Sequence, residues 1–118
     1  MANILCVDDE PHVVNLRCLT LEAEGHHTTA AWTVKEALER LEHDRYDVVV
    51  TGWHLGDGSG SAVVKAAKTL KQPPIVVVSG YIEEEDQATP SADLYFEKPI
   101  DLDDFASIID KLLRGGNL

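Results

Sequence analysis

Short apolar runs recur along the chain, and each leads into a polar or small residue. Ile4-Leu5-Cys6-Val7 leads into Asp8-Asp9, Val48-Val49-Val50-Thr51 into Gly52, and Val76-Val77-Val78 into Ser79; Leu94-Tyr95-Phe96 precedes Lys98-Pro99. The runs are continuous rather than alternating, which fits strands buried on both faces. Between them the apolar spacing becomes helical. Val34, Ala37, Leu38 and Leu41 recur at i, i+3, i+4 and i+7, as do Phe105, Ile108, Ile109 and Leu112, giving two amphipathic helices. Thr33-Val34-Lys35-Glu36 has the form of a capping box, and Asp101 is placed to cap the last helix. Strands are expected near 3–7, 27–31, 46–51, 74–79 and 93–96, and helices near 11–24, 33–43, 60–70, 83–89 and 101–114. Such alternation predicts an α/β fold, a doubly wound parallel sheet of five strands with helices on both faces. In these sheets ligands bind at the carboxyl ends of the strands, where the four polar ends should meet.

Size and charge limit the partners. At 118 residues the chain fits one domain, expected over 3–114, with 115–118 as a tail or the start of a linker. Asp and Glu total 21 against 10 Lys and Arg, a formal net charge of -11. Nucleic-acid phosphates and anionic lipid would repel such a chain, so neither is an expected partner. No apolar run approaches the roughly 18 residues a spanning helix needs, and Met1-Ala2-Asn3 lacks the basic start of a signal peptide. Cys6 within a strand and Cys18 on the apolar side of a helix read as reduced, packed thiols, which points to a cytoplasmic setting.

Asp8 and Asp9 are the strongest chemical signal. Adjacent carboxylates past a buried strand are costly unless neutralised, and hard oxygen ligands suit Mg2+. An isolated Asp-Asp pair is more often a solvated turn, a lone strand-ending serine a turn former, and a lone Lys-Pro a solvated lysine. In combination, Asp8-Asp9, Ser79-Gly80 and Lys98-Pro99 make the chain resemble the receiver domain of bacterial response regulators, from Ile4 to Leu113. The resemblance implies the flavodoxin-like strand order 2-1-3-4-5. It implies Mg2+ held by Asp8, Asp9 and the backbone carbonyl of His54, and phosphoryl oxygens bound by Ser79 and Lys98. Tyr95, three residues before the lysine, would be the switch aromatic, although an aromatic covering the core from an edge strand accounts for it equally well. Implied partners are a histidine kinase or phosphotransfer protein, and an output protein at the surface around residues 83–114. Pro90 should keep the helix near 83–89 short, and Glu83-Glu84-Glu85-Asp86 should make it acidic.

Gly52 departs from this pattern, because receivers carry there the aspartate that accepts the phosphoryl group. Glycine offers no nucleophile, no metal ligand and no partner for the lysine, so no phosphorylation and only weak Mg2+ binding are expected. Lys98 should turn to Asp8 or Asp9 instead. Neither His54 nor Asp57, the latter read as a turn residue, replaces the acceptor. Two origins stay open: a natural pseudo-receiver acting as a phosphorylation-independent interaction module, and recent or deliberate loss of an aspartate. An enzyme of flavodoxin-like fold is not expected, since Asp8-Asp9-Glu10-Pro11 would repel a flavin phosphate where a glycine-rich loop should stand.

Overall fold

The computed structural model describes residues 2–79, 92–96 and 101–115. Within them the chain forms β1 (Asn3–Val7), α1 (Pro11–Ala23), β2 (His27–Ala31), α2 (Val34–His43) and β3 (Val48–Gly52). A short hairpin of β4 (His54–Leu55) and β5 (Gly58–Ser59) follows, then α3 (Gly60–Lys68), β6 (Ile75–Ser79), β7 (Leu94–Phe96) and α4 (Leu102–Leu113). The large sheet has the order β2-β1-β3-β6-β7, parallel throughout. Numbering its strands alone gives the expected 2-1-3-4-5. The helix expected near 83–89, with Pro90 and Glu83–Asp86, lies outside the described residues, as does Lys98.

The pleat of the central strands divides the core in two. Leu5 and Val7 of β1, Val49 of β3 and Val76 and Val78 of β6 face a cluster built with Val34, Ala37 and Leu41 of α2 and Val63, Val64 and Ala67 of α3. Ile4 and Cys6, Val48 and Val50, and Val77 face the opposite cluster with Val14 and Leu21 of α1 and Phe105 and Ile109 of α4. Successive strand residues point to opposite faces, so a strand covered on both sides must be apolar at every position.

Helix starts follow local chemistry. Thr33 Oγ1 accepts the Glu36 amide at 3.0 Å, while the Glu36 carboxylate reaches back to the Trp32 amide at 3.1 Å. The expected capping box therefore closes one residue earlier than the usual form, in which the acid returns to the cap residue itself. Asp101 Oδ1 accepts the Asp103 amide at 2.8 Å, capping α4 as expected.

Two expectations need correction. β3 begins at Val48 rather than 46 and continues through Gly52, which pairs in register with Ser79. The segment after Gly52, where neither strand nor helix is expected, folds into the β4–β5 hairpin, pairing His54 with Ser59 and Leu55 with Gly58. This hairpin returns the chain to its own start: the Gly60 amide donates to the Trp53 carbonyl at 2.6 Å. A Cβ at Gly60 would lie 2.1 Å from the Gly52 carbonyl oxygen. No other residue fits at the first position of α3 without moving the backbone of β3.

Candidate functional site

The parallel order brings the ends of β1, β3 and β6 together. Asp8 follows β1, and its amide still donates to the Ala31 carbonyl of β2 at 3.2 Å. That pairing holds its side chain at the sheet edge, 1% exposed, whereas Asp9 turns to solvent. Gly52 and Ser79 end the neighbouring strands side by side. Ser79 is fully buried, and its hydroxyl has no hydrogen-bond partner among the described residues. The Thr51 hydroxyl, also buried, donates to the Gly52 carbonyl at 2.9 Å.

Motif and spacing did not single out the residue facing Asp8. Arg17 of α1 is 5% exposed, and its Nη1 lies 3.6 Å from Asp8 Oδ2, an ion pair with both side chains almost completely buried. The other carboxylate oxygen, Oδ1, accepts the Glu10 amide at 3.1 Å. On its far side the guanidinium lies 5.5 Å from the centroid of the Phe105 ring, within cation–π range. Burial lowers the Arg17 pKa and the Asp8 charge opposes that shift; a guanidinium remains charged throughout. At 3.6 Å the approach is too long for a hydrogen bond, and Nη1 has no hydrogen-bond partner among the described residues.

Gly52 leaves room that Asp8 partly takes. A Cβ built at Gly52 would lie 3.1 Å from Asp8 Oδ2, 3.5 Å from its Cγ and 3.7 Å from Leu55 Cδ2. The first contact is tighter than ordinary side chains show, so any residue larger than glycine requires Asp8 to shift by a few tenths of an ångström.

The remaining candidates divide. Tyr95 is half-buried against the α2–α3 side of the core, and its hydroxyl accepts the Ala92 amide at 2.9 Å. Asp57 is more than a turn residue: its carboxylate accepts the Val34 amide at 2.7 Å and the Lys35 amide at 3.1 Å, capping α2 from the β4–β5 hairpin. Those two amides hold its carboxyl below the usual range. His54 is exposed on β4.

The described side chains at this edge offer a divalent cation a sparse donor set. Asp8 is engaged by Arg17, Asp9 is exposed and position 52 has no side-chain oxygen. Among the described residues, no three of His, Cys, Asp and Glu gather where they could hold a metal ion.

The chain matches the response regulator receiver domain family over residues 4–110. It belongs to that family. The response regulator protein PilR of Pseudomonas aeruginosa is 32% identical over 114 residues, covering 93% of this chain and 26% of that protein. The chain spans about a quarter to a half of the length of the curated relatives it matches. Among solved structures, a receiver domain from Methanospirillum hungatei JF-1 superposes with a TM-score of 0.90 at 27% identity, covering 98% of this chain and 95% of that one. The receiver domain of a sensor histidine kinase from Pseudomonas aeruginosa PAO1 shares the fold at 17% identity and a TM-score of 0.85, covering 96% of this chain and 98% of that one. That domain was solved with a magnesium ion coordinated in its active-site cleft. Receiver domains of this family serve two-component signalling. Among the described residues, no helix is long and apolar enough to cross a membrane.

Proposed function

We propose that this receiver domain takes no phosphoryl group and works as a phosphorylation-independent interaction module within two-component signalling. The observation that carries this reading is Gly52, in register beside Ser79 with the Asp8 carboxylate leaning into the space a side chain would need. Phosphoryl transfer from a phosphohistidine breaks a P–N bond and forms a P–O bond to a carboxylate. Gly52 has no oxygen to form that bond. Asp57 does not take its place, since its carboxylate is tied to the Val34 and Lys35 amides of α2, whereas the position in register with Ser79 is Gly52. Mg2+ should bind weakly, because its expected ligands are lost at 52 and engaged at Asp8.

In this reading Ser79 and Lys98 are what remains of a phosphoryl-binding set, and Tyr95 has no phosphoryl group to report. The partner would be a histidine kinase, a phosphotransfer protein or an output protein at the surface around residues 83–114. On α4 the described part of that surface carries Asp101, Asp103 and Asp104 exposed around Leu102, so a partner with a basic rim suits it. Acetyl phosphate with Mg2+, read by intact mass beside a phosphorylatable receiver as positive control, tests the proposal. The expected result is no added phosphoryl mass on this chain, and a stable adduct would overturn it.

A further inference from the structure

We propose that Arg17 is a built-in counter-cation, a guanidinium that holds the Asp8 carboxylate in place of a divalent ion and makes this pocket metal-independent. The inference deepens the reading of Gly52 given above and rests on it. Three features of the geometry carry it.

The first is charge. Arg17 sets a full positive charge beside the Asp8 carboxylate inside the protein, with side-chain exposures of 6% and 2%. A divalent ion approaching Asp8 would meet a fixed positive charge at salt-bridge distance, and Asp9, exposed, is the one carboxylate of the pair left to attract it. The second is position. Asp8 Oδ2 is the atom nearest a hypothetical Cβ at Gly52 and also the atom that Arg17 approaches. A new side chain at 52 must therefore displace a carboxylate that Arg17 holds. The third is support. Arg17 stacks against Phe105 of α4, and Phe105 meets the Phe96 ring of β7 edge-on, 6.3 Å between centroids at 67°. Phe105 is fully buried, so the guanidinium cannot swing toward solvent without opening the packing between α1 and α4.

It follows that Gly52→Asp supplies a carboxylate but does not by itself rebuild a metal site; Arg17 must be replaced as well. Trp53, buried beside Gly52, is a reporter for the site in a Trp32→Phe background. Mg2+ is titrated into the Trp32→Phe chain, its Gly52→Asp variant, and its Gly52→Asp/Arg17→Met variant. Fluorescence and melting temperature are followed, and the two aspartate variants are then labelled with acetyl phosphate.

The first two proteins should show no saturable Mg2+ response in the millimolar range. The doubly substituted one should respond, and should bind Mg2+ and label roughly tenfold or more better than Gly52→Asp, the scale on which groups around metal ligands act. A saturable response in Gly52→Asp with Arg17 in place overturns the proposal, as does a double variant no better than the single one. If Arg17→Met does not fold, Arg17→Gln, which keeps hydrogen-bond donors without the charge, is held to the same criteria. A phosphoryl mass on the chain with Gly52 intact would instead overturn the reading of Gly52, so the two failures are distinguishable.

Discussion

Replacing Arg17 and Asp8 singly and together measures how strongly the pair is coupled. At 3.6 Å, two unit charges attract by roughly 4–5 kcal/mol at an effective dielectric near 20, before desolvation is subtracted. Desolvation is large here because both side chains are nearly inaccessible, so the pair as a whole adds little net stability. Breaking it is a different matter. Arg17→Met leaves a buried carboxylate and Asp8→Asn a buried guanidinium, each expected to cost about 3–5 kcal/mol. The double variant loses both charges, and should be more stable than the sum of the single losses by at least about 2 kcal/mol. Urea unfolding of the four proteins at neutral pH is the assay. The Glu10 amide, which donates to Asp8 Oδ1, meets the same carboxamide oxygen as acceptor in the single and double Asp8→Asn variants, so its contribution cancels in the cycle. A buried pair is also little screened, so the coupling should persist at high salt. Coupling below about 0.5 kcal/mol, the scatter expected for independent sites, would refute the reasoning.

Three further outcomes are expected. Gly60→Ala should cost about 3 kcal/mol or more in urea unfolding, because its Cβ would sit 2.1 Å from the Gly52 carbonyl oxygen and neither strand nor hairpin can yield. A cost below about 1 kcal/mol, the centre of the range for point substitutions in general, would show that the hairpin does yield. Asp57→Ala should lower the melting temperature by a constant amount above the ordinary carboxylate pKa of 3.8. The native value is depressed, so the stabilisation is present above 3.8 and is lost as pH falls through the lower native value. The gap between the parent chain and the Asp57→Ala variant should therefore close in acid, and a pH-independent gap would contradict the cap. The Cys18 thiol is brought down to about 6 by a hydrogen bond from Cys6, whereas Cys6 is pushed well above its ordinary value. Iodoacetamide at neutral pH should therefore label Cys18 and spare Cys6, and equal labelling would count against this placement.

The central strands were legible because burial on both faces leaves an unmistakable record: Val48-Val49-Val50 and Val76-Val77-Val78 contain no polar residue. The edges were less so. β2, His27–Ala31, has no apolar run, and its place followed from the alternation of elements around it rather than from its own residues. Two-residue strands such as β4 and β5 are too short to carry a period, so the hairpin could not be read. The Asp57 cap joins residues 22 and 23 positions apart, beyond any local capping signature. Arg17 is different, because its signal was present: Val14, Arg17 and Leu21 stand at i, i+3 and i+7, and all three are buried. Helical spacing thus placed a permanent cation on the core face of α1, one helix away from a strand-ending acid that needed neutralising.

Arg17 also bears on the origin of Gly52. If aspartate had been lost at 52 by one isolated change, the rest of the pocket would remain arranged around a divalent ion, with the Asp8 and Asp9 carboxylates both turned toward it. Instead Asp8 is paired with a buried guanidinium that lies 5.5 Å from the Phe105 ring centroid, and the carboxylate oxygen it approaches is 3.1 Å from where a Cβ at Gly52 would stand. A buried arginine is costly to accommodate without its partner, so Arg17 and a metal-free Asp8 form a consistent set, whereas Arg17 and a metal-bound Asp8 do not. A glycine at 52 and a buried guanidinium at Asp8 fit a pocket neutralised from within, and the response of Gly52→Asp to Mg2+ decides between that account and the loss of a single residue. Under that account Gly52→Asp alone stays unresponsive to Mg2+, while under recent loss the same substitution restores the response in one step.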